Sequence, residues 1–193
     1  MLLVSTLIPI LSACSDESPV KCTEANCSRC HGSDGDPAPP PDTAGRQGTD
    51  SITVGAHASH LEPSDWHAPI SCTECHVVPA CLDDPGHIDT DAPAEITWGS
   101  LATSRGASPS FDRSAGTCSG VYCHGSTLTG GTLEGPTWTV VDSTQDACGT
   151  CHGLPPDPPH PSTSACSTCH ASVIDASMSF IDPSLHVNGS PDF

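Results

Sequence analysis

The chain has 193 residues, among them 13 Cys, 11 His and 20 Pro, and its 5 Lys+Arg against 23 Asp+Glu give a formal charge of −18. Leu, Ile, Val and Phe together number only 32, too few to supply an aliphatic core for a domain of this length. Five scattered basic residues cannot form the cationic face that nucleic acid or anionic lipid headgroups require, so the acidic surface suits solubility or a basic protein partner.

Residues 1–13 form an apolar run broken by Pro9, too short to span a bilayer and of the size of a signal-peptide core. The run ends in Leu11-Ser12-Ala13-Cys14, which resembles the bacterial lipoprotein processing site. That resemblance implies cleavage before Cys14 and acylation of its thiol, a membrane tether without a transmembrane helix. Ser15 follows Cys14, where Asp would favour retention in the inner membrane, so the expected location is periplasmic or cell-surface, with the outer membrane preferred.

Four C-x-x-C-H motifs follow: Cys27 to His31 with Cys30, Cys72 to His76 with Cys75, Cys148 to His152 with Cys151, and Cys166 to His170 with Cys169. This spacing is the attachment signature of c-type haem. On one helical turn, residues i and i+3 share a face, so both sulfurs can reach the two vinyl groups of one porphyrin, while the His at i+4 turns its imidazole toward the iron. A fifth site is stretched, with Cys118 and Cys123 separated by four residues and His124 following. Its Cys-His pair is intact, and Gly120 lets the insertion loop outward; the alternative is a disulfide or lone thiol pair.

The mixture of C-x-x-x-x-C-H and C-x-x-C-H sites in one acidic chain resembles the CxxxxCH/CxxCH-domain family of multihaem c-type cytochromes. The phrases around Gly55-Ala56-His57, Pro85-Gly86-His87, Trp98-Gly99, Tyr122-Cys123-His124-Gly125 and His186-Val187-Asn188-Gly189 are also similar to that family. The resemblance, from Cys22 to Gly189, implies electron transfer through about five covalently bound haems c, outside the cytoplasm.

Five proximal histidines, His31, His76, His124, His152 and His170, leave His57, His60, His67, His87, His160 and His186 as candidates for the second axial position. Beyond Met1 the only methionine is Met178, so bis-histidine ligation is the economical expectation, with low potentials as its consequence. His57 and His60 lie three apart on one helical face, and only one of them is expected to bind iron. Cys22 and Cys81 remain; they could form a disulfide or stay free, and Cys22 could pair with Cys27 in a shifted C-x-x-x-x-C arrangement.

The predicted organisation is a signal at 1–13, an anchor with the first haem site at 14–31, a flexible Pro/Gly/Asp linker at 32–54 that isolates that site, and a domain at 55–193 with four haem sites. Five prolines between His152 and Cys166 predict a stiff strap presenting His160. Residues 171–181 could form a short helix, and 96–98 and 137–141 short strands. The expected fold is that of a multihaem cytochrome c, mostly irregular coil with short helical turns wrapped around covalently bound haems and little sheet. The expected function is electron transfer with other redox proteins, basic or multihaem cytochromes among them. The alternatives are a multihaem reductase of a small oxyanion, which needs an open iron position, and a cysteine-rich protein held by zinc or disulfides, which does not explain the His after each second Cys.

Overall fold

A computed structural model of the protein describes residues 27–193, so Cys14, Cys22 and the signal lie outside the described residues. The described chain is mostly coil. Lying wholly within the described residues are one α-helix, α1 (His57–Leu61), and five 3-10 turns at Cys72–Glu74, Ser104–Gly106, Tyr122–His124, Cys166–Thr168 and Pro183–Leu185. One antiparallel hairpin joins β1 (Ser110–Asp112) to β2 (Thr117–Ser119), with Phe111 opposite Cys118. No helix among the described residues is long and apolar enough to cross a membrane.

The protein's own core is very small. Val54, Ala102, Val121 and Val173 are the buried hydrophobic residues among those described. Four such side chains cannot offset the conformational entropy of ordering so long a coil. Larger apolar residues instead stand in solvent, among them Val77, Val78, Leu82, Ile88, Val140, Val141 and Leu154, most of them within a few residues of a candidate haem ligand.

Hydrogen bonding replaces packing in several places. Residues 32–54, read from sequence as a linker, form a succession of turns closed by Gly32 N–H to Pro41 O at 2.7 Å and by a reciprocal Ser33–Asp36 pair. Their hub is Asp42, only 5% exposed. Its carboxylate accepts from the Ala44 and Arg46 amides at 2.9 Å each, from Arg46 Nε at 2.7 Å and from the Thr53 hydroxyl.

Three expected elements do not form. Residues 171–181 make turns with a single Ile174–Phe180 bridge, because Val173 and Ile174 both donate back to His170 O and the chain then doubles over. Residues 96–98 make no strand; Thr97 and Gly99 donate to the carbonyls of Cys75 and Glu74, bracing that attachment turn. Residues 137–141 contribute one bridge, Thr117 to Thr137. The hairpin at 110–119 was not foreseen, since three-residue strands are too short to show alternation.

Hydrogen bonding, first from Thr53 and then from the Arg46 and Ala44 amides, holds the Asp42 carboxyl well below its ordinary value of 3.8 against the opposing effect of burial. A carboxylate stabilised in this way contributes stability that is complete above its unfolded pKa and is lost as pH falls through the lower folded value. Amide protection factors across 42–54, referred to the intrinsic exchange rate at each pH, should therefore stay constant from about pH 8 to pH 5 and fall only below about pH 4. Asp42→Asn should lower them several-fold already at neutral pH.

Candidate functional site

Two of the attachment motifs form the turn that their spacing demands. At Cys72–His76 the amides of Cys75 and His76 both donate to Cys72 O, at 3.1 and 2.9 Å, and at Cys166–His170 those of Cys169 and His170 donate to Cys166 O, at 3.2 and 2.9 Å. Ser71 caps the first turn, its side chain accepting from Thr73 N–H. In the stretched site Cys118 lies on β2, and Cys123 and His124 lie on the 3-10 turn Tyr122–His124. The two extra residues are taken up by a tight reversal at Gly120, which has φ +67° and where a Cβ would overlap the Ser108 carbonyl oxygen.

The histidines then associate two by two. His31 faces His87 with ring centroids 6.3 Å apart, His57 faces His76 at 6.3 Å, and His60 faces His124 at 6.1 Å. His152 faces His186 at 6.4 Å, and His170 faces His160 at 6.2 Å. Each pair joins one motif histidine to one of the remaining six.

These separations are too long for ring contact and too uniform for accident. Two imidazoles sharing one metal ion through Nε2, with metal–nitrogen bonds of about 2 Å, place their centroids roughly 6.3 Å apart. The angle between ring planes is free about that shared axis, and it runs from 14° to 81° over the five pairs.

The second ring nitrogen supports the same arrangement. In nine of the ten paired histidines Nδ1 meets a backbone carbonyl: Pro37 for His31, Val54 for His57, Ala56 for His60, Glu95 for His76 and Leu82 for His87. Gly153 serves His152, Pro161 His160, Asp192 His170 and Trp66 His186. A carbonyl only accepts, so Nδ1 carries the proton and Nε2 keeps its lone pair, as in metal-ligating histidines generally. His124 is the exception, with a buried Nδ1 that has no partner; burial, and after it the neighbouring His60, lowers its pKa to about 4, which keeps it neutral.

From their spacing only one of His57 and His60 is expected to bind iron. Both rings from the single turn of α1 face a motif histidine, and His67 is the one left over. His67 is 5% exposed, lies against the Trp66 ring at 4.4 Å and donates Nδ1–H to Ala68 O at 2.7 Å. Met178 is exposed.

At the stretched site the sulfurs are placed beside the histidine pair. Cys118, Cys123, His60, His124 and Trp138 line one cavity of about 200 Å³. Burial, the largest cause in each case, pushes the Cys75 and Cys118 thiols up to about 11 and that of Cys123 up to about 12, so all three stay protonated at neutral pH. The ten described motif cysteines are free of disulfides, and among the described residues no group of three or more His, Cys, Asp or Glu converges on a metal-sized position. Zinc would require such a cluster of thiolates or imidazoles. Cys81 is disulfide-bonded, and Cys22, its expected partner, lies outside the described residues.

Residues 117–152 match the family described as the Geobacter CxxxxCH...CXXCH motif. The matched segment contains the stretched site, the spacer and the motif Cys148–His152 in the family's order, consistent with a multihaem c-type cytochrome domain. The motif indicates covalently bound haem c, and with it electron transfer. No curated protein and no solved structure matches the chain.

The left-handed backbone and the crowding at Gly120 make it a sensitive probe of the stretched site. Gly120→Ala should cost about 1–3 kcal/mol, measured as a lowered denaturation midpoint followed through Trp fluorescence.

Proposed function

We propose that the chain is a pentahaem electron carrier with bis-histidine ligation in the pairs His31/His87, His57/His76, His60/His124, His152/His186 and His170/His160. The observation that carries this reading is the set of five imidazole pairs at 6.1–6.4 Å. Cys27 and Cys30, Cys72 and Cys75, Cys118 and Cys123, Cys148 and Cys151, and Cys166 and Cys169 would hold the haems as thioethers. Haem iron supplies the redox chemistry, cycling between its ferric and ferrous states.

The chain's own residues do the rest. The carbonyls on Nδ1 fix the tautomer and direction of nine of the ten rings and raise the basicity of Nε2. Two nitrogen ligands on every iron leave no open position for a substrate, which favours a carrier over a reductase. Histidine in place of methionine at all five positions keeps the potentials low. The charge of −18 suits a basic redox partner. The chain would be exported and tethered through acylated Cys14, with the outer membrane preferred; palmitate labelling that is lost in Cys14→Ser tests this.

Ring orientation gives a spectroscopic signature. Nearly parallel axial imidazoles split the iron d orbitals, whereas nearly perpendicular ones leave them close in energy. His57/His76 and His160/His170 lie within 20° of parallel, and the other three pairs cross at 62–81°. Paramagnetic resonance of the oxidised protein should therefore show two rhombic low-spin centres and three with a large principal g value. His87→Ala should convert one centre to high spin and let the reduced protein bind carbon monoxide, whereas His67→Ala should do neither. Carbon monoxide binding by the unaltered protein would favour the reductase.

A further inference from the structure

Trp138 joins two of the histidine pairs. Its indole lies 4.9 Å from the His57 ring, edge to face, and 5.5 Å from the His60 ring. These two rings face His76 and His124, and both come from the five residues of α1.

The indole is held from three directions. Its Nε1–H donates to Ile52 O at 2.9 Å across 86 residues of sequence. Its backbone amide donates to Gly116 O at 2.6 Å, at the turn of the hairpin. Gln145 clamps the neighbouring residue, accepting from Thr137 N–H at 2.7 Å and donating to Thr137 O at 3.0 Å and Val140 O at 2.8 Å. On the helix side, Gly55 has φ +44°, and the indole occupies the space that a Cβ there would take. The carbonyls that orient the two imidazoles, Val54 O and Ala56 O, flank that glycine.

A short α-helix with no buried residue of its own cannot define two ring planes unaided. We propose that Trp138 is a positioning residue for both distal ligands, so that the His57/His76 and His60/His124 centres respond together to a change at this one side chain. The inference rests on the bis-histidine reading and adds a coupling between two named sites.

The test uses the exported holoprotein. A haemochrome count and the resonance spectrum of the unaltered protein come first; fewer than five low-spin centres would defeat the underlying reading before any variant is made. Trp138→Leu is expected to keep the haem count and to change one rhombic and one large-g signal. The potentials of the same two centres should shift in a redox titration while the other three stay. Trp138→Phe, which keeps an aromatic face but lacks the N–H, should restore part of the difference. Gly55→Ala, which leaves Trp138 and both histidines in place, should reproduce it by displacing the indole. Signals and potentials unchanged in Trp138→Phe and Gly55→Ala, or a change confined to one centre, would overturn the proposal, and these two variants decide it even if Trp138→Leu fails to fold.

Discussion

A hydrogen bond from imidazole Nδ1 to a backbone carbonyl, repeated in nine of ten paired histidines, is the constraint on which the rest of the structure depends. It is local and needs no hydrophobic core. It also commits each ring to one tautomer, so that the remaining lone pair points to a fixed place. With four buried apolar side chains among the described residues, the polypeptide has little else with which to hold its turns against one another. On the proposed bis-histidine reading, metal–ligand bonds between distant segments and the apolar contact that a porphyrin brings would supply what the polypeptide lacks.

The long loops follow from the same requirement. His31 and His87 lie on either side of the 32–54 turns and the Cys72–His76 turn, and His186 bonds to Trp66 O across 120 residues. Such closures carry an entropic cost that rises slowly with loop length. Asp42 lowers it for one loop by gathering amides, a hydroxyl and a guanidinium around a single carboxylate. Two of the motif segments also abut through backbone, since a Cβ at Gly125 would overlap the Cys151 carbonyl.

The turns at Cys72–His76 and Cys166–His170 and the coil-rich fold were legible in the sequence because they are local. Spacing of i, i+3 and i+4 fixes a turn, as at Cys72–His76, and a composition without apolar periodicity excludes regular layers. The partners of the motif histidines were not legible, because nothing in the order of residues says that His60 meets His124 while His57 meets His76. Nor does helical spacing settle it: two residues three apart share a face, yet the rings of His57 and His60 diverge enough to lie opposite two different motif histidines, with an indole against both. His67 has the same residue type as the other five candidates, and only its burial against Trp66 sets it apart. The Asp42 hub and Gln145 clamp gave no signal, since a single polar residue in a Gly- and Pro-rich stretch looks like any other.

The most direct test is the intact mass of the exported protein with peptide mapping of its cysteines. The expected result is a mass increased by five haems, with a thioether at each of the ten motif cysteines, including Cys118 and Cys123. A chain bearing unmodified thiols at those positions would contradict it.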